Sequence, residues 1–105
     1  MQQDWPQSMG VYRVYSLTSP ECFVGFSRNL RGTYKRLRFE LKLNACSYQA
    51  LQQFYNVNNG NVDYEILEIY TPADTLSEEE VDAHLQALVY KHKAALQGKL
   101  IQQQI

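Results

Sequence analysis

The chain is short of most features that would declare a class by themselves. It has only two cysteines, Cys22 and Cys46, no CxxC pair, and two histidines, His84 and His92, far from both. Such a set offers neither a disulfide framework nor a zinc spacing, so two reduced thiols are expected. The histidines have no Asp or Cys partner at ligand spacing and read as surface or boundary residues. No apolar run approaches the ~20 residues that a bilayer demands. The opening Met1-Gln2-Gln3-Asp4-Trp5 lacks the basic and apolar regions of an export signal. The expectation is no membrane association and a cytoplasmic location. With 105 residues, the chain holds one domain and not two.

Aromatic bulk is abundant: eight tyrosines, four phenylalanines and one tryptophan supply much of the material for a core. Each tyrosine brings a hydroxyl that needs a partner once buried. The net charge is only −1, but it conceals a strong asymmetry. Six of the ten basic residues are Arg28, Arg31, Lys35, Arg36, Arg38 and Lys42. Eight of the eleven acids lie between positions 63 and 82. A basic block can attract a polyanion even in a neutral protein, because charge is felt over about a Debye length. The two blocks can equally face each other or water.

Residues 1–8 are polar, carry Pro6 and read as a loose arm. From Gly10 to Leu17, the set Val11, Arg13, Tyr15, Leu17 alternates with Tyr12, Val14, Ser16, which predicts a strand. Thr18-Ser19-Pro20-Glu21 is a turn, and Cys22 to Phe26 completes an antiparallel hairpin. Asn29 is placed to cap a helix in which Leu30, Tyr34, Leu37 and Leu41 share one face. Ser47 is placed to cap a second helix carrying Ala50, Leu51, Phe54 and Tyr55, followed by the turn Asn58-Asn59-Gly60-Asn61. Val62 to Tyr70 is a third strand. Ser77-Glu78-Glu79-Glu80 is a capping box opening a last helix that runs to about Leu96, with Gly98 as a stop. The expected class is α+β, a three-stranded antiparallel sheet flanked by helices in the order ββααβα. The domain spans residues 9–97, and residues 98–105 form a polar tail.

Two tripeptides resemble a known family. Gly10-Val11-Tyr12 opens the first strand, and Phe23-Val24-Gly25 lies on the second, with ten residues between them. Their order and spacing are similar to those of the GIY-YIG nucleases. Ser27-Arg28-Asn29-Leu30 resembles the entry to that family's first helix, Leu51-Gln52 through Phe54-Tyr55 its second helix, and Tyr64-Glu65-Ile66-Leu67-Glu68 its third strand. The resemblance covers about residues 9–96 and is to a degenerate bacterial member. It implies a phosphodiester-cutting site in which a tyrosine helps activate the nucleophile. An arginine would stabilise the phosphate and a carboxylate would hold one divalent metal.

Several of the implied positions are altered. Tyr12 matches the first-motif tyrosine, but Phe23 stands where the second-motif tyrosine is expected and has no hydroxyl. The family arginine falls on Thr33, eight residues after Gly25, and a frequent histidine falls on Leu37. The metal-binding glutamate maps to Glu80, with Glu79 and Asp82 as neighbours in register. Arg36, three residues past Thr33 on the same helical face, is the candidate for a migrated arginine. Any remaining catalysis is expected from Tyr12, Arg36 and Glu80 with Mg²⁺; otherwise no cofactor is expected. Tyr12 is equally a sheet aromatic, and Glu80 equally half of a capping box.

Arg28, Arg31, Lys35, Arg38 and Lys42 recur at three- to four-residue spacing opposite the leucine face, with Tyr34 and Phe39 interleaved. Such a stripe can contact several phosphates of DNA or RNA in a salt-dependent way, or it can be a solvated face. The expected function is a catalytically degenerate binding or interaction module, with sequence-independent nucleic-acid binding. Two alternatives are a metal-dependent endonuclease and a domain whose basic helix meets an acidic protein partner.

Overall fold

A computed structural model describes residues 5–101. The elements are β1 (Met9–Ser16), β2 (Cys22–Ser27), α1 (Leu30–Lys42), α2 (Gln49–Val57), β3 (Val62–Tyr70) and α3 (Glu78–Ala95). The sheet is antiparallel in the order β2-β1-β3, so the expected class and element order hold.

The alternation in β1 decides which residues meet which helices. Tyr12 and Val14, with Phe23 of β2, join Leu30, Tyr34, Leu37 and Leu41 of α1 and Leu51 and Phe54 of α2 in one core. Val11, Cys22 and Val24 meet Leu88 and Val89 of α3 in a second. Helices α1 and α2 thus cover one face of the sheet and α3 the other. A bulge in β3 separates the pair Val11–Glu68 from the pair Tyr12–Ile66. Beyond it, Glu68 meets Lys91 and His92 of α3, and Tyr70 stacks on His84 at 5.8 Å. Gly10 lies beside this bulge, where an added Cβ would run into the Glu68 carbonyl.

The start of α1 is fully satisfied. Asn29 accepts from the Gly32 amide at 3.1 Å, as its position predicts. The remaining first-turn amides donate to backbone carbonyls: Leu30 to Ser8 at 2.9 Å, Arg31 to Pro6 at 2.9 Å, and Thr33 to Asn29 at 3.0 Å. No orphan donors remain there to attract an anion. Helix α2 differs from expectation at its start. Tyr48, not Ser47, is the N-cap, and it makes no side-chain cap bond. The buried Gln52 amide secures this region instead, accepting from the Cys46 amide at 3.0 Å and donating to the Leu41 carbonyl at 3.1 Å. The capping box of α3 is present with both reciprocal bonds.

The chain ends depart most from expectation. Trp5 is 1% exposed and stacks on Tyr34 with ring centroids 4.6 Å apart. Its carbonyl accepts from Arg31 Nε at 2.7 Å. The stretch assigned to a loose arm is therefore part of the core from Trp5 onward, because its indole and its carbonyls both find partners on α1. At the other end, Cys22 exchanges backbone hydrogen bonds with Lys99 and Ile101 at 2.8 and 3.0 Å, forming a short parallel bridge, and Ile101 is buried. Residues 1–4 and 102–105 of the expected arm and tail lie outside the described residues.

Candidate functional site

Four of the positions that the family resemblance singles out open onto one groove of about 890 Å³. Tyr12, Phe23, Gly25 and Thr33 line it, with Ser27 and Arg28 at the end of β2, Ser47 and Tyr48 at the start of α2, and Lys93 of α3. Tyr48, Phe23 and Tyr12 form an aromatic wall, with successive centroids 5.7 and 6.5 Å apart. Gly25 is needed opposite Tyr12, because a Cβ there would come within 2.8 Å of the phenol oxygen. Burial pushes the Tyr12 hydroxyl far above the ordinary tyrosine range; nearby Tyr48 adds to the shift and the Arg36 charge opposes it.

Thr33 is buried, and its hydroxyl lies 2.6 Å from Ser27 Oγ. Ser27 Oγ also accepts from the Asn29 amide at 2.9 Å. This neutral hydroxyl pair joins β2 to α1 at the position where the resemblance leads one to expect an arginine. Arg28 borders the groove, but its guanidinium is held by Asp82 Oδ1 at 2.8 Å and by the Glu78 carbonyl at 3.0 Å. Leu37 is buried in the core. Arg36 is not among the groove-lining residues; it is exposed, 3.9 Å from Glu40, on the Tyr12 side of α1.

Glu79, Glu80 and Asp82 likewise lie off the groove lining. The Glu80 carboxylate accepts from the Ser77 amide at 3.0 Å, and this bond holds it below the usual carboxylate range. Among the described residues no group of three or more His, Cys, Asp or Glu side chains is placed to hold a metal. With Glu80 closing a cap and Asp82 neutralised by Arg28, these residues do not fit a divalent cation.

Helical geometry divides the cations of α1. At about 100° per residue, Arg31, Lys35, Arg38 and Lys42 fall on one flank, and Thr33 and Arg36 fall on the other. The basic stripe therefore faces away from the groove. Arg31 is committed to Trp5, and Arg38 lies 5.3 Å over the Tyr34 ring. Lys35 and Lys42 are exposed to water. Sequence patterning finds this stripe, but it does not pick out Ser27, Tyr48 and Lys93 as groove residues. The one available signal is the position of Ser27 shortly before the α1 cap.

No helix among the described residues is long and apolar enough to cross a membrane. No protein-family model matches the chain, and no curated protein matches its sequence. Solved structures do match. The catalytic domain of the homing endonuclease I-TevI has a TM-score of 0.63 and 18% identity over 89% of this chain and 97% of that one. A glutamate-to-alanine mutant of the same catalytic domain, described as an intron endonuclease, has a TM-score of 0.54 and 21% identity over 81% of this chain and 88% of that one. With its sheet order, its three helices and its paired motifs on β1 and β2, this chain has the fold of a GIY-YIG nuclease catalytic domain.

Proposed function

We propose that this chain is a GIY-YIG-fold module that binds nucleic acid without cutting it, holding the phosphate backbone along the α1 flank of Lys35, Arg38 and Lys42. The observation that carries the loss of cleavage is the Ser27–Thr33 hydroxyl pair at 2.6 Å, which fills the arginine position with neutral groups. Phosphoryl transfer gathers negative charge on the phosphate oxygens, and removing one preorganised donor costs about 10²–10³ in rate. A phenol kept protonated by burial, as Tyr12 is, cannot take a proton from a nucleophile near neutral pH.

The binding reading draws support from the stripe and from the fold shared with I-TevI, a homing endonuclease. If two or three phosphates are neutralised, affinity should fall about 10- to 40-fold between 50 and 200 mM salt. Filter binding with DNA and RNA at these salt levels tests this. Lys35→Glu with Lys42→Glu should abolish binding and leave the circular dichroism spectrum unchanged; Arg31 is left intact because it anchors Trp5. No binding at low salt would remove the proposal and favour an acidic protein partner. A second reading, an endonuclease using Arg36, Glu80 and Mg²⁺, would require Arg36 to leave Glu40 for the groove and Glu80 to leave its cap. Metal-dependent nicking of plasmid DNA that is lost in Glu80→Ala or Arg36→Ala would establish it; no nicking is expected.

A further inference from the structure

Helix α1 separates two concavities. On the flank away from the groove, Tyr34, Arg38 and Lys42 meet Tyr55 of α2 and Tyr64 of β3 around a hollow of about 250 Å³. The hollow brings together two kinds of chemistry. Arg38 lies over the Tyr34 ring and donates from Nη1 to the Tyr34 hydroxyl at 3.4 Å. Neither Arg38 nor Lys42 makes an ion pair among the described residues. The one carboxylate at the rim, Asp63, accepts from the Tyr64 amide at 2.8 Å and also bonds Tyr15. The two cations therefore retain their charge for a ligand.

The tyrosines supply donors and ring surface. Burial pushes the Tyr64 hydroxyl up to about 12, with Tyr55 adding and Arg38 opposing, so it is a hydrogen-bond donor at neutral pH. Tyr34 packs edge-on to Tyr64 at 5.4 Å, which holds the Tyr64 ring in place. Gly60, in the left-handed region at φ +77°, leaves room for the Tyr55 hydroxyl, 3.2 Å from where its Cβ would be. An anion-binding pair beside rigid aromatic surface suits a phosphate attached to a flat base. Bases inside a duplex are stacked on each other and cannot reach such a ring, whereas those of a single strand can.

We infer that this hollow takes one nucleotide of a single-stranded nucleic acid, with its phosphate between Arg38 and Lys42 and its base against Tyr55. The inference deepens the nucleic-acid reading and rests on it for the polymer. The test uses the full chain, amide NMR spectra and three probes: an oligothymidylate octamer, the same octamer in a duplex, and thymidine monophosphate. The octamer should shift the amides of Gly60, Asn61 and Tyr64 and bind more tightly than the duplex.

Tyr55→Leu should weaken octamer binding about 5- to 150-fold, the worth of one base–aromatic stack, with little effect on the duplex. Tyr55→Phe, which keeps the ring, should retain the preference, and Arg38→Gln should remove the shifts at Gly60 and Tyr64. Equal affinity for octamer and duplex, with Tyr55→Leu silent, overturns the subsite and leaves general nucleic-acid binding standing. Shifts with thymidine monophosphate alone keep the hollow as a nucleotide site and sink the polymer reading. No shift with any probe overturns the inference.

Discussion

Replacing Trp5 by alanine should be among the most damaging single changes available. Trp5 is 1% exposed, stacks on Tyr34 at 4.6 Å and approaches Tyr12 at 6.3 Å, so truncation would open a cavity against both rings. Losses for buried Trp→Ala run to about 3–5 kcal/mol, including the aromatic pairing. A domain of this size has about 5–15 kcal/mol to lose. Trp5→Ala should therefore lower the melting temperature by at least about 12 °C. Trp5→Phe should cost less, under about 2 kcal/mol. The indole Nε1 has no hydrogen-bond partner among the described residues, and its removal returns part of a desolvation penalty of about 1–3 kcal/mol. The assay is urea unfolding followed by far-ultraviolet circular dichroism. Because Trp5 is the chain's one tryptophan, its emission in the parent protein is an independent probe and should be blue-shifted in the native state. A Trp5→Ala midpoint equal to that of the parent, or solvent-like emission from the folded parent, would show that the N-terminal segment does not belong to the core.

Gly10→Ala and Gly25→Ala should both destabilise, and Gly10→Ala more, because its Cβ meets a backbone carbonyl of β3, whereas that of Gly25 meets the Tyr12 side chain. Urea midpoints should show about 1–3 kcal/mol for Gly25→Ala, the usual cost of overpacking; no loss in either variant would mean that β1 can shift freely. Gln52→Leu should cost about 1–3 kcal/mol, because it strands the Cys46 amide and the Leu41 carbonyl. Equilibrium unfolding of that variant, unchanged from the parent, would contradict the role of this amide. Glu68 accepts hydrogen bonds from Lys91 and His92 that hold its carboxyl below the usual range. Its folded pKa lies below its unfolded value, so its contribution is complete above about pH 4.3 and fades as acid protonates the carboxylate. The side chain is one-third exposed, which keeps the effect under about 1 kcal/mol. Glu68→Gln should narrow the gap between unfolding midpoints at neutral and acid pH, and an unchanged gap would count against the pairing.

What the sequence disclosed, and what it withheld, follows from the range of the forces involved. The β1 alternation, the Asn29 cap and the Ser77–Glu80 box are local, and each is found where the pattern places it. The Tyr48 cap escapes such patterns because a tyrosine has no short oxygen to advertise the role; the buried Gln52 amide, five residues beyond the expected Ser47 cap, organises that corner. The arm and the tail differ from expectation because their partners are remote in sequence: Trp5 finds Tyr34, and Ile101 finds Cys22. At the candidate site, Thr33 is legible as a missing charge, but its pairing with Ser27 is not. Nor does periodicity tell which flank of α1 meets the groove, since that depends on α2 folding back against Phe23 and Tyr12.

The burial of Trp5 and Ile101 in the same core bears on how the chain is made. A ribosome delivers the indole first and the isoleucine about a hundred residues later. Until position 101 has cleared the exit tunnel, the hydrogen-bonding edge of β2 at Cys22 lacks its partner and the pocket for Ile101 stands open. The nascent domain should therefore stay protease-sensitive until residue 101 has emerged and become resistant in that one step rather than helix by helix.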